Sequence, residues 1–322
     1  MKLAEIIINN PDISKINVPY IIAEAGVNHE GNFQNAINLI DLAADGGAHA
    51  IKFQTYKAET LASKNSPSYW DLNSEKTDSQ YKLFKKYDKF WKSEYEKLYL
   101  HCLKKNIEFI STPFDLESAN FLNDIMPVFK ISSSDITNKI FIEHICGFKK
   151  PIILSTGASN LDEIKKTVHL IQKRNIPLSL LHCILNYPTL DDNANLGMIL
   201  ELKSEFNECC IGYSDHTLPN LMDNLIYATL LGAKIIEKHF TLNKLAKGAD
   251  HRISVEPKEF KLMVNKIRNL ETMLGSGILK PTKEEYLKYK HLLHHIPYQN
   301  IRFEVNFFDL NFHIILVFHL LF

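Results

Sequence analysis

Eight short apolar runs, each ending in a small cluster of polar residues, constrain the fold of this chain more than any other feature. In order they read IIAEAGVNH (21–29), AIKFQT (50–55), FISTPF (109–114), FKISSSD (129–135), IILSTG (152–157), LSLLHC (178–183), IGYSDHT (211–217) and IIEKHFT (235–241). Each of the first seven is followed by a segment of helical character before the next begins. Repeated strand–helix units imply a parallel sheet, and eight of them in sequence predict an α/β fold, a (β/α)8 TIM barrel. In that barrel the C-terminal strand ends converge on one mouth, so the eight polar clusters become a single candidate site. The runs are continuously apolar rather than alternating, as strands covered on both faces must be.

The helical segments carry their own punctuation. FQNAINLIDLAADGGA spaces its apolar residues at helical period and stops at Gly46-Gly47. SEYEKLYLHCLKKNI, DLESANFLNDI, NLDEIKKTVHLIQKRNI and PNLMDNLIYATLLGA follow the same pattern, with Asp115, Ser159 or Asn160, and the stretch from Asp215 to Pro219 as helix starts. The connection between Tyr56 and Trp91 is longer than the rest, aromatic and charged without a clean period. At a barrel mouth such an insertion is either a substrate wall or a solvated excursion.

The chain has 322 residues, enough for one barrel and a small addition: a barrel domain over 1–280, then a linker and an unpatterned apolar tail over 281–322. Its 37 basic and 37 acidic side chains cancel, which removes any basis for wholesale binding to nucleic acid or an anionic membrane. An anion in the site must therefore be held locally. Five cysteines without a CxxC spacing, and an N-terminus too polar for a signal peptide, predict a reduced cytoplasmic protein. The final FHIILVFHLLF falls short of the roughly 20 apolar residues of a membrane-spanning helix.

The strand ends carry the chemistry. His216 and His239 close the seventh and eighth runs, where both imidazoles can reach one cation. With Glu24 and Asp215 beside them, an oxygen-loving divalent ion such as Mn2+ suits the donor set; the plainer alternative is two locally hydrogen-bonded histidines. Lys52 and Lys130 lie inside apolar strands, where a buried ammonium needs a partner. With Thr112, Ser132, Ser133, Ser134, Ser155 and Thr156 they can form a phosphate cradle, or they are outward-facing, snorkelling lysines. Glu24 is a general base or a structural acceptor. Asp250 and His251 bind substrate hydroxyls or cap a turn. Asn186, Tyr187 and Pro188 form a pocket wall or pack their own loop.

Together AEAGVNHEG, KFQT, FISTPFD, FKISSSD, ILSTG, LLHC, GYSDHT and EKHFT, in this order and spacing from about Tyr20 to Lys283, resemble the sialic acid synthases, which include synthases of N-acetylneuraminic, legionaminic and pseudaminic acids. The resemblance implies a TIM barrel followed by a linker and a small antifreeze-like domain. It implies condensation of phosphoenolpyruvate with an N-acyl hexose such as N-acetylmannosamine, and no nucleic-acid or membrane partner. It assigns a divalent metal, Mn2+ with Mg2+ or Co2+ as alternatives, to His216 and His239. It assigns phosphoenolpyruvate to Lys52, Thr112, Lys130, Ser133 and Ser155, the attacking water to Glu24, and the sugar to Gln54, Glu237 and Asp250. Full-length relatives are expected to be homodimers in which the partner's small domain supplies an arginine.

Three departures accompany the resemblance. SSSD stands where many relatives have GSGE, so Asp135 offers its sugar contact from one methylene further back. ILNYP, with Asn186 and Tyr187, occupies a variable position. The antifreeze-like domain is expected to be missing, and 292–322 to be out-of-frame sequence on a truncated synthase of reduced or abolished activity. Two further readings stay open, a barrel aldolase forming a Schiff base on Lys52 or Lys130, and a ligand-binding remnant without turnover.

Overall fold

The computed structural model describes residues 2–9, 19–68, 70, 72, 75–248, 250–275 and 278–292. Its elements run α1 (Leu3–Asn9), β1 (Tyr20–Gly26), α2 (Phe33–Asp45), β2 (Ala50–Thr55), α3 (Ala58–Leu61), α4 (Gln80–Tyr87), α5 (Lys92–Lys104), β3 (Glu108–Pro113), α6 (Leu116–Leu122) and β4 (Phe129–Ile131). They continue α7 (Lys139–Gly147), β5 (Ile152–Ser155), α8 (Leu161–Gln172), β6 (Leu178–His182), α9 (Met198–Glu205), β7 (Cys210–Asp215), α10 (Asp223–Leu230), β8 (Ile235–His239), α11 (Pro257–Leu274) and α12 (Lys283–Leu292). The strands form one parallel sheet in the order β3-β2-β1-β8-β7-β6-β5-β4. Its two ends, β3 and β4, lie side by side, giving a nearly closed TIM barrel.

Every residue of β1 and of β4 to β8 is buried, which explains their unbroken apolar character: one face fills the barrel and the other meets the helices. The helix starts follow side-chain chemistry. Asn32 accepts from the amides of Gln34 and Asn35 to open α2, Asp115 accepts from Ser118 N at 2.7 Å to open α6, and Asn160 forms a capping box with Glu163 on α8. Helix α2 ends at Gly46, and Gly47 follows at φ 88°, a left-handed value that glycine adopts without strain.

One expected start is displaced. Helix α10 begins at Asp223 rather than within 215–219, because the Asp215 carboxylate is engaged elsewhere and Met222 takes a left-handed conformation just ahead of the first turn. At the opposite end of the barrel from the mouth, α1 buries Leu3, Ile6 and Ile7, and Leu3 N and the Tyr20 hydroxyl both donate to Glu108 Oε2.

The barrel belongs to a compact unit, Met1–Ser276; a second unit spans Gly277–Phe322, of which α12 is described. Thr282 opens α12 through its hydroxyl, which accepts from Glu285 N at 3.2 Å. The expectation for residues 293–322 lies outside the described residues. All five cysteines are free and buried. Among the described residues no helix is long and apolar enough to cross a membrane.

Gly212 on β7 shows how tightly this wall is built. A Cβ there would sit 2.6 Å from the Ile235 carbonyl oxygen of β8 and would collide with the Leu181 side chain of β6. Gly212→Ala is therefore expected to destabilise the barrel by ~1–3 kcal/mol through overpacking. Urea titration checks this; an unchanged midpoint would show that β7 and β8 can separate locally.

Candidate active site

Side chains alternate across the barrel wall, so residues two apart on a strand share a face. On β8, Glu237 and His239 point inward while Lys238 points out between barrel and helices. The inward positions of β1 to β8, with the loops just beyond them, supply Glu24, Lys52, Gln54, Thr112, Lys130, Ser133, Ser155, Ser214, His216, Glu237 and His239 to one inner chamber of about 60 Å3.

A compact charge lattice fills this chamber. Lys52 Nζ lies 2.7 Å from Glu24 Oε2 and 3.8 Å from Glu237 Oε2, and it donates to Thr112 Oγ1 at 3.2 Å. Lys130 Nζ lies 3.4 Å from Glu237 Oε1, which also accepts from Ser214 Oγ at 2.8 Å. Gln54 Nε2 donates to Glu24 Oε1 at 3.2 Å. Both lysines are thus inward and paired, not snorkelling. Ser133 Oγ accepts from Gly157 N at 2.9 Å, while Ser155 Oγ is buried without a hydrogen-bond partner. Such orphaned buried donors are costly and mark a place for a polar ligand.

Burial and charge set opposite tendencies on the two carboxylates. Burial holds Glu24 well above the usual carboxylate range, with Lys52 opposing. Glu237 feels the same desolvation, but Lys130 and Lys52 outweigh it and hold its carboxyl below that range. Burial lowers the proton affinity of Lys130; for Lys52 the pull of Glu237 and Glu24 exceeds the burial cost and raises it. The chamber therefore sets two lysines against one carboxylate held ionised and one that gains a proton easily.

The two histidines stand on adjacent strand ends with ring centroids 5.3 Å apart. His216 Nδ1 donates to the Ile184 carbonyl at 2.6 Å, which leaves Nε2 with a free lone pair. His239 Nδ1 is buried without a hydrogen-bond partner, 3.8 Å from Asp250 Oδ2. Burial pushes His216 down to about 4 and His239 well below its ordinary value, so both rings are neutral at neutral pH, the form that ligates. Two unprotonated imidazoles beside an oxygen-rich chamber fit a divalent ion. Among the described residues no group of three His, Cys, Asp or Glu side chains converges on a cation, so the chain's own donors there are the two imidazoles.

Outside this chamber lies a wider cleft of about 540 Å3, continuous with it through Gln54, Phe114, Ser132, Leu185, Tyr187 and His239. The insertion after β2 forms one wall: Tyr56 packs edge-on against Phe84 and Phe114, at centroid distances of 5.4 and 6.1 Å, with Leu61 and Leu83 alongside. Of the two readings of that insertion, the wall is the one observed. The polar side is formed by Gln54, Gln80, Asp250 and His251, with burial pushing Asp250 up to about 6.

Several sequence expectations are corrected. Asp215 is turned away from the chamber: its carboxylate accepts from Lys238 Nζ at 2.6 Å, Tyr213 OH at 2.9 Å, Asn224 Nδ2 at 2.8 Å and Thr217 N at 3.0 Å, and no acceptor capacity is left for a cation. Asp135 lines neither chamber; the 3-10 turn Ser133–Asp135 carries its carboxylate to Asn138 Nδ2 at 3.2 Å. Asn186 also lines neither, because its carbonyl is engaged by Thr189 Oγ1 while the neighbouring Tyr187 takes the wall. Glu237 lines the inner chamber beside the two lysines. Thr156 spends its hydroxyl on the Leu181 carbonyl. Ser214 and Cys183 were missed, although Ser214, two residues before His216, shares its inward parity.

The sequence matches the NeuB family over residues 39–279. It is 42% identical to the N,N'-diacetyllegionaminic acid synthase of Campylobacter jejuni, covering 82% of this chain and 80% of that protein. It is 40% identical to the protein of the same name from Legionella pneumophila, covering 83% and 76%. The fold superposes on a crystal structure of N-acetylneuraminic acid synthetase from Leptospira borgpetersenii in complex with citrate, with TM-score 0.76, 37% identity, and coverage of 87% of this chain and 94% of that one.

Proposed function

The chain belongs to the NeuB family, and from that premise we propose that it condenses phosphoenolpyruvate with an N-acyl hexose to give a nine-carbon sialic-type acid and inorganic phosphate. The observation that carries the reading is the two-chamber site: a small chamber with two buried lysines and an unpartnered Ser155 hydroxyl, opening past two neutral imidazoles into a sugar-sized cleft.

In this reading Lys52, Lys130, Thr112, Ser133 and Ser155 hold the phosphate and carboxylate of phosphoenolpyruvate, and Gln54 and Asp250 meet the open-chain sugar. C3 of phosphoenolpyruvate attacks the aldehyde carbon; the enol π pair forms the new C–C bond and C2 becomes electron-poor. Water adds to C2, giving up its proton toward Glu24. The tetrahedral C2 then breaks its bond to the phosphate oxygen, phosphate leaves with that electron pair, and the C2 hydroxyl loses its proton to leave a ketone. The aldehyde oxygen takes a proton and becomes a hydroxyl. When bound at His216 and His239, a divalent ion, Mn2+ or in its place Mg2+ or Co2+, supplies Lewis-acid polarisation of an aldehyde oxygen. The chain's own contribution is positioning and fixed charge in a buried chamber.

The apolar wall of Leu61, Leu83, Phe84 and Phe114 supports a sugar richer in methyl groups than N-acetylmannosamine, namely a 6-deoxy diacetamido hexose. One additional methyl-sized group in an apolar pocket is worth ~1–3 kcal/mol, so kcat/KM for the diacetamido sugar should exceed that for N-acetylmannosamine by at least ~10-fold. A phosphate-release assay with Mn2+, phosphoenolpyruvate and each sugar tests both claims: no phosphate with any sugar refutes the condensation, and parity between sugars refutes the preference. Burial lowers the proton affinity of Lys130, which favours one rival, a Schiff-base aldolase. Borohydride trapping of a pyruvate adduct on the lysine would support that rival.

A further inference from the structure

The strands that carry the two imidazoles are tied together by an ion pair on their opposite face. Asp215 and Lys238 are direct register partners of β7 and β8, each immediately preceding a histidine, and their side chains point outward while His216 and His239 point inward. The pair is dry, with side-chain exposures of 0% for Lys238 and 1% for Asp215.

A buried ion pair contributes little stability over an apolar replacement, so its energetic role alone gives a poor account of it. Its hydrogen bonds show a different use. Asp215 holds Thr217 through both the amide (3.0 Å) and the hydroxyl (3.1 Å), and Lys238 Nζ donates to the Thr217 carbonyl at 2.6 Å. Residue 217 is thus held at all three of its polar atoms, and His216 lies between it and Asp215. The His216 carbonyl is fixed in turn by Thr189 N at 2.9 Å. Register continues one position earlier, where Ser214 and Glu237 are paired and hydrogen-bonded on the inner face. His239 has less holding its ring, since its Nδ1 lacks a hydrogen bond; its placement depends on the strand beneath it.

We infer that the Asp215–Lys238 pair is a positioning clamp that sets the separation and aim of the two imidazoles, and through them the affinity for a divalent cation. This rests on the reading that His216 and His239 bind the cation. Neither clamp residue touches the cation or a substrate; both act through the neighbouring histidines. Residues of this kind are worth ~10–100-fold in metal affinity.

The test is an electron paramagnetic resonance titration of the full chain with Mn2+ alone, beside calorimetric titration with phosphoenolpyruvate in the absence of metal. The double variant Asp215→Asn/Lys238→Met removes the pair without leaving an unpaired buried charge. It is expected to bind Mn2+ about 10–100-fold more weakly, with phosphoenolpyruvate affinity unchanged within about twofold. Wild-type Mn2+ affinity in the variant, or equal losses for both ligands, overturns the clamp. Thr217→Val cuts the hydroxyl's bonds to Asp215 and Asn224, leaves the ion pair and the two backbone links in place, and keeps the question answerable if the double variant does not fold: a weakening of about threefold or more supports the clamp and no change overturns it. His216→Ala separates the premise, since unaltered Mn2+ binding there refutes the metal reading itself.

Discussion

Replacing Lys130 by methionine is expected to lower kcat/KM for phosphoenolpyruvate by about 10^2–10^3-fold while the barrel stays folded. The ammonium is almost wholly buried, 3.4 Å from Glu237 Oε1, so any phosphate that meets it does so out of water. Truncating one partner of a buried, hydrogen-bonded charge pair at a binding surface costs ~2–5 kcal/mol, and each 1.4 kcal/mol is about tenfold. Methionine keeps most of the volume, so packing changes little. Glu237 retains Ser214 at 2.8 Å and Lys52 at 3.8 Å, which limits the damage to the chamber itself. Steady-state phosphate release, read beside a thermal melt, decides the matter. A folded variant within tenfold of wild type would place Lys130 outside the phosphate contacts.

Glu24→Gln should act on turnover instead. A positioned general base contributes about 10^2–10^4-fold, and the amide is near-isosteric, so kcat should fall by that order while KM for both substrates moves only a few-fold. The pH profile gives an independent reading. The ionised carboxylate is the form that accepts a proton from water, so the wild-type rate should rise with pH as Glu24 ionises. Burial holds that ionisation well above the usual carboxylate range, so the acid limb should lie above the pH of an ordinary glutamate titration. The variant should lose this limb. A limb that survives in Glu24→Gln assigns it to another group, with Asp250, pushed up by burial to about 6, the first to examine.

Much of this site is legible in the sequence alone. The strand runs were readable because they are apolar throughout, and an inward residue near the end of four of them was identifiable by type: Glu24, Lys52, Lys130 and His239. What failed was parity and chain path. Asp215 precedes His216 by one residue and therefore faces the other way; the same rule applied to EKH would have paired it with Lys238. Asp135 and Asn186 lie beyond their strand ends, in a 3-10 turn and a loop, where no two-residue period predicts direction. The two-chamber division was not readable either. It depends on α3 and α4 folding back over the mouth, and the insertion has no period to announce that path.

The separation of the wide cleft's apolar wall from the charged chamber has a consequence for altering this protein. Leu61, Leu83 and Phe84 belong to a segment that, among the described residues, contributes no lysine, histidine or carboxylate to the inner chamber. This apolar part of the cleft wall and the charged side chains of the inner chamber are therefore encoded in different stretches of chain. A mutant library confined to α3 and α4 reshapes the apolar wall of the wide cleft and leaves every described charged residue of the inner chamber in place.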